Sequence, residues 1–406
     1  MKQANTALRR TITLPLLVFY GVGTILGAGV YALIGKVVGL SGIYAPFSFL
    51  LAAMIASLVA YAYAQLSRRY PQSAGEAVYV KQAFAWPWLT VSVGWGIAMT
   101  GVVSAAVMAR GFQGYLNEFV QLPAAAGVLF FVLLITVIAL IGISLSARVA
   151  ALVTVIELSG IAMIIVVAWE KLGSIMYRWP ELLPPLTWDS WQSISLGAFL
   201  AFYAYIGFED MVNIAEEIVN PEDSLPTAIT LCLLITTLCY VLVALIAVLS
   251  LPLASLAESS APFVLIVQEN STLPVYIIGI ISLFAIFNGA LVQLIMASRV
   301  VYGLAMQQHA PEFFRFVHPK SRTPVYATLF FAAILLLLSL YFPIESLAKA
   351  TSFIILIIFA LVCLSLGIIR WRENQHKHCF FLVPAAGFLF CVAFVVQQII
   401  HFLCGI

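Results

Sequence analysis

Charges cut this chain into long apolar runs, eleven of them with 18 or more residues, and little sequence is left over to build anything else. A run of that length is what an α-helix needs to cross roughly 30 Å of bilayer hydrocarbon at about 1.5 Å per residue. The runs fall near 12–35, 42–66, 88–117, 124–143, 149–169, 193–216, 226–250, 274–303, 324–342, 347–369 and 380–403. Of the 406 residues 63% are apolar and 9% charged, whereas a soluble domain carries about 25% charged residues. A globule of this size could not cover itself with so little polar surface. The expectation is an all-α membrane protein with about 11 transmembrane helices and no sizeable extramembrane domain. This excludes a nucleic-acid binder, a secreted disulfide scaffold, a disordered chain and most soluble enzymes. The six cysteines form no CxxC pair and fall mostly inside apolar runs, so they read as small buried residues, with no metal site. The first run, from about Leu14, is too long for a signal-peptide core and lacks a small-residue cleavage site; it reads as the first membrane helix.

Lys and Arg set the orientation. With the N-terminus inside, the inner side holds Lys2, Arg9, Arg10, Arg68, Arg69, Lys81, Arg148, Arg299, Arg315, Lys320, Arg322, Arg370, Arg372 and Lys377. The outer side holds Lys36, Lys171, Arg178 and Lys349, and Arg110 lies within the third span. That bias predicts a multi-pass protein of the cytoplasmic (inner) membrane with its N-terminus in the cytoplasm, and it supports the span count, since one extra span would mix the two sets. Trp86, Trp88, Trp169, Trp179, Trp188, Trp191 and Trp371 stand at span ends, where interfacial anchors belong.

Two spans break the rules of a membrane helix. The first reads LPLLVFYGVGTILGAGVYALIGKVVG and carries Gly21, Gly23, Gly27, Gly29 and Gly35. Each glycine costs about 0.8–1 kcal/mol of helix propensity relative to alanine. Two readings compete: a close packing face through Gly23-x-x-x-Gly27, or a break around Gly27–Gly29 whose free backbone groups line a cavity. The spacing does not fit a dinucleotide-binding fingerprint. The sixth span, SLGAFLAFYAYIGFEDMVNIAEEIVNPEDSLP, carries Glu209 and Asp210 beside Gly207. Carboxylates at that depth mark pathways or coupling sites, although Asp210 can also be read as already cytoplasmic. Spans one and six stand five apart and run in opposite directions, so interruptions in both would sit at corresponding positions of two inverted halves. The fifth span carries a single ionisable group, Glu157, about 13 Å along the helix from Arg148. It is protonated, paired with a cation or facing water, unless it is an inert helix contact.

These stretches resemble the amino acid–polyamine–organocation superfamily of transporters. GVGTILGAGVYALIG is similar to its first-helix glycine motif, FYAYIGFEDMVNIAEEIVNPEDSLPTAI to its sixth helix and following loop, and NGALVQLIMASRVVYGLAMQQHAPEFFRFVHPKSRTP to its eighth helix and the loop to the ninth. The resemblance covers nearly the whole chain. It implies a five-plus-five inverted-repeat fold, with repeats near 12–170 and 193–370, broken helices one and six, and a peripheral eleventh helix in 371–406. Relatives usually have a twelfth.

The resemblance also implies a site. A substrate carboxylate would lie on backbone N–H groups near Gly27, Ala28 and Gly29, and its ammonium on carbonyls of Ile25, Tyr203 and Ile206, with Gly207 in the break. Tyr203 and Phe208 match positions that cover or gate the substrate, or else simply pack. Many relatives carry a Lys where this chain has Glu157. The change points to a protonatable group or a bound cation near the carbonyls of Gly23 and Leu26, with Ser298 as an eighth-helix partner and Glu209 as a second coupling residue. The loop after span two reads Ala74-Gly75-Glu76 where relatives have a Gly-Gly pair. The implied function is secondary active transport of amino acids or related amines by proton symport or exchange. It needs no cofactor beyond a coupling proton or sodium ion, and its partners are a small-molecule substrate and the lipid bilayer. The other reading is a membrane-embedded amino acid sensor. No HExxH, no GxSxG and no facing Asp pair argues for an enzyme.

Overall fold

In the computed structural model, which describes residues 12–72, 75–141, 147–306, 308–318, 321, 323–373 and 379–404, each long apolar run is helical. The spans are Leu14–Ser41, Ala45–Arg69, Pro87–Leu116, Ala124–Ile141, Ala147–Val167, a sixth that begins as Trp188–Ala201, then Pro221–Ser250, Tyr276–Met306, Val325–Tyr341, Ile344–Arg372 and Cys379–Cys404. A short linker helix, Gly75–Phe84, separates spans two and three. No strand occurs among the described residues. Among the described residues seven stretches are long and apolar enough to cross a membrane, and three shorter apolar helices accompany them. Of the residues named above, Lys2, Arg9, Arg10, Lys320, Arg322, Lys377 and Ala74, and the side chains of Ala28 and Arg148, lie outside the described residues, as do the side chains of two of the six cysteines, Cys379 and Cys404.

Span four shows why periodicity alone could not orient these helices. Val128, Phe131, Val132 and Ile135 form its buried face, while Leu129, Phe130, Leu133 and Val137 form an exposed one that is just as apolar. A helix apolar all round belongs in hydrocarbon. All seven anchor tryptophans are exposed, from Trp191 at 41% to Trp188 at 81%.

The packing has a simple order. Span one contacts span six, two contacts seven, three contacts eight and four contacts nine, with the three–eight and two–seven pairs the most extensive. Four of the first five helices thus meet the helix five places on, while span five packs mainly on spans one and eight. Span eleven lies on the periphery against spans ten and two. Arg110, at the far end of span three, donates to the carbonyls of Leu340 and Phe342 at the end of span nine, at 3.0 and 3.2 Å. A cation there meets the negative end of the helix dipole.

Span one departs from one expectation. It is a continuous helix from Leu14 to Ser41, so the break sought near Gly27–Gly29 is absent. The glycines serve packing instead. A Cβ on Gly29 would meet Ala204 of span six, one on Gly23 would run into the Thr154 hydroxyl of span five, and one on Gly21 would run into the sulfurs of Met211 and Cys232. Span one is contacted by neighbours on several sides, and the missing side chains let them approach.

Candidate functional site

Span six holds the interruption. Its helix Trp188–Ala201 tightens into a 3₁₀ turn, Phe202–Tyr205, and Ile206 is extended with ψ 134°. Gly207 has φ +131°, and a second 3₁₀ segment runs over Glu209–Glu217. A positive φ favours glycine, and a Cβ here would lie 2.8 Å from the Thr24 carbonyl oxygen, so the sequence can turn at this point only with glycine. The freed backbone groups find specific partners, as buried polar groups must. Ile206 N–H donates to the Tyr203 carbonyl at 3.2 Å. Gly207 N–H donates to Glu209 Oε2 at 2.8 Å, and the Gly207 carbonyl accepts from Thr24 Oγ1 at 3.2 Å.

Two hydroxyls tie the unwound segment to its neighbours. Tyr240 of span seven lies 2.7 Å from the Ile25 carbonyl and 2.8 Å from that of Ala204, linking spans one and six. Tyr203 and Ser104 of span three pair hydroxyl to hydroxyl at 2.9 Å, and the Tyr203 O–H also lies 3.1 Å from the Ser104 carbonyl.

Two small cavities flank this segment. One is lined by Thr24, Ile25, Gly29, Ser104, Met108, Tyr203, Ile206 and Gln293. The other is lined by Ile97, Thr100, Gly101, Ile206, Glu209, Asp210, Gln293, Met296, Ala297 and Ile355. Ile206 and Gln293 belong to both.

Most of the expected site residues come together here. Ile25, Gly29, Tyr203 and Ile206 line the first cavity, and Glu209 the second. Gly27 packs on the backbone of Gly289 in span eight. Because span one is helical through Gly27, Ala28 and Gly29, their N–H groups are not the open anion site that a break would provide. Phe208 lines neither cavity; its ring packs against Tyr63 and Phe359 at 5.4 and 5.3 Å.

Glu157 is fully buried in span five. Its Oε1 accepts from Asn288 Nδ2 of span eight at 3.5 Å, and among the described residues its Oε2 has no hydrogen-bond partner. A Cβ on Gly23 would lie 3.5 Å from that free oxygen, so the carboxyl does face the Gly23 side of span one, while Leu26 is buried nearby along the helix. Ser298 does not take part. Its hydroxyl donates to Ile295 of its own helix, ten residues or about 15 Å beyond Asn288. Sequence reasoning missed Asn288, Gln293, Ser104 and Tyr240; the two amides were visible as polar residues inside span eight's apolar run.

Below the site, Glu76 of the linker helix is buried, 1% exposed, and its Oε1 accepts from Tyr63 Oη at 3.3 Å. Burial pushes its carboxyl from 4.5 up to about 7; the Asp210 charge adds to this, while backbone and Tyr63 hydrogen bonds oppose it. An acid raised on folding binds more protons in the native state, so its contribution is fully present below about pH 4.5 and is lost as pH rises to 7. Between those limits wild-type stability should fall relative to Glu76→Gln by roughly 3 kcal/mol. Thermal unfolding of both proteins in detergent from pH 4.5 to 8 measures the difference, and parallel curves would contradict it.

A family model described as "Amino acid permease" matches residues 12–402. Curated proteins match along most of this chain. A branched-chain amino acid permease of Bacillus subtilis (strain 168) is 26% identical over 94% of this chain and 86% of its own length. Cationic amino acid transporter 3, mitochondrial, of Arabidopsis thaliana is 26% identical over 90% of this chain and 63% of its own. Cationic amino acid transporter 4 of Mus musculus is 28% identical over 91% of this chain and 61% of its own. The chain thus spans less than two thirds of the two cationic transporters.

Proposed function

The chain belongs to the amino acid permease family, and from that premise we propose that it carries amino acids across a cytoplasmic membrane by alternating access. The observation that carries the proposal is the unwound stretch of span six, Ile206 and Gly207, set between two cavities at the junction of spans one, three, six and eight. Irregular backbone at membrane depth is tolerated where it lines a cavity, and a discontinuous helix at the midplane is where such transporters hold substrate. In this reading the substrate ammonium lies on carbonyls at the break and Tyr203 covers it, swinging from its Ser104 anchor when the cavity opens.

Coupling falls to Glu157. Among the described residues this fully buried carboxyl has one unpartnered oxygen, only a long bond from a neutral amide and no cation to balance it. Neutralisation by a proton is the simplest way to remove the cost of burying that charge. The N-terminus is cytoplasmic in this reading, and span eleven lies outside the ten-helix transport core.

Flux tests the proposal. Purified protein in liposomes should accumulate labelled amino acid, and faster under an imposed inward proton gradient. Binding without flux would make the protein a sensor. The relatives' names divide between branched-chain and cationic amino acids, so the family leaves the substrate's side chain open.

A further inference from the structure

We propose that the second cavity is a subsite for a cationic side chain, with Asp210 as its counter-ion and Gln293 holding Asp210 in place. This rests on the amino acid transport reading and names its substrate class.

Asp210 is 5% exposed and Gln293 8%. Gln293 Nε2 donates to Asp210 Oδ2 at 3.0 Å, and among the described residues Oδ1 accepts no hydrogen bond. Glu209 lines the same cavity, and no Lys or Arg does. On the linker helix the Glu76 carboxyl is buried too, and among the described residues its Oε2 has no hydrogen-bond partner. Two carboxyls thus line one cavity, Asp210 with an oxygen that accepts no hydrogen bond, and among the described residues no Lys or Arg lines its wall. Buried charges are paired or bind something that pairs them.

The geometry supplies the length. Along span three the first cavity is marked by Ser104 and the second by Thr100 and Gly101; along span eight both touch Gln293, and only the second reaches Met296 and Ala297. The offset is about one helical turn, roughly 5 Å. A substrate whose backbone occupies the first cavity would bring a cationic group on a four-carbon stem, such as that of lysine, to the second. Gln293, touching both, fixes their relation.

The test compares L-lysine with L-norleucine, which has the same stem without the ammonium. Competition against labelled uptake by wild-type proteoliposomes needs no variant. Lysine should compete at concentrations at least tenfold lower, since a charge-assisted hydrogen bond of about 1.5–3 kcal/mol corresponds to tenfold or more. In Asp210→Asn the lysine-to-norleucine preference should fall at least tenfold. Equal competition by the two in wild type, or an unchanged preference in Asp210→Asn, would overturn the proposal. Norleucine flux with no preference for lysine defeats this subsite alone. Failure of every amino acid to bind or move defeats the transport reading, and the subsite with it.

Discussion

Gly29→Leu should abolish transport, by pushing span six away from span one. A Cβ on Gly29 would enter the backbone of Ala204, which cannot rotate out of the way as a side chain can. Overpacking a tight core costs about 1–3 kcal/mol, and here the displaced element is the unwound segment itself. The Tyr240 hydroxyl lies within hydrogen-bond distance of the carbonyls of both Ile25 and Ala204, so any separation also loosens that tie. Uptake by reconstituted protein should drop at least 100-fold, while Gly303→Leu, with open space around it, should have little effect. A Gly29→Leu protein that purifies as a sharp monodisperse peak and carries substrate at wild-type rate would show that the close approach is dispensable.

The second large effect is expected at Glu157. Glu157→Gln keeps the shape and a donor for neighbouring carbonyls but cannot exchange a proton. Accumulation driven by a pH gradient should vanish, a loss of more than tenfold, while counterflow of labelled against unlabelled substrate continues. If sodium replacement by choline stops uptake in the wild type and a pH gradient has no influence, the carboxyl is an ion ligand and the proton reading is wrong.

How much of this was legible depends on the kind of residue. The eleven spans are set by composition, because a bilayer imposes a length and forbids free charge. Glu157, Glu209 and Asp210 were legible for the same reason: a carboxyl within an apolar run is costly enough to demand a role. The first-helix glycines were ambiguous. Glycine is chosen either for its backbone freedom or for its missing side chain, and the letter is the same. Only neighbours far along the chain, Ala204 for Gly29 and Thr154 for Gly23, tell which. Gly207 was chosen for the first reason and Gly29 for the second. Gln293 and Asn288 escaped because neutral amides are tolerated in membrane helices. The depth and rotation at which span eight meets span five, which make Asn288 rather than Ser298 the partner of Glu157, cannot be read when lipid and core are equally apolar.

The interruption in span six also bears on how the protein is made. The helix Trp188–Ala201 has 14 residues, about 21 Å, too short to cross the hydrocarbon by itself. Beyond Ala201 come irregular backbone and two carboxyls that lipid cannot satisfy. Asp210 takes its hydrogen bond from Gln293, 83 residues further along the chain. At a synthesis rate of about 5–20 residues per second, that partner emerges some 4–17 s after Asp210. During the interval the segment has to stay in water or against another protein surface. Sixth in order of synthesis, this span completes its hydrogen bonding only once the eighth has arrived.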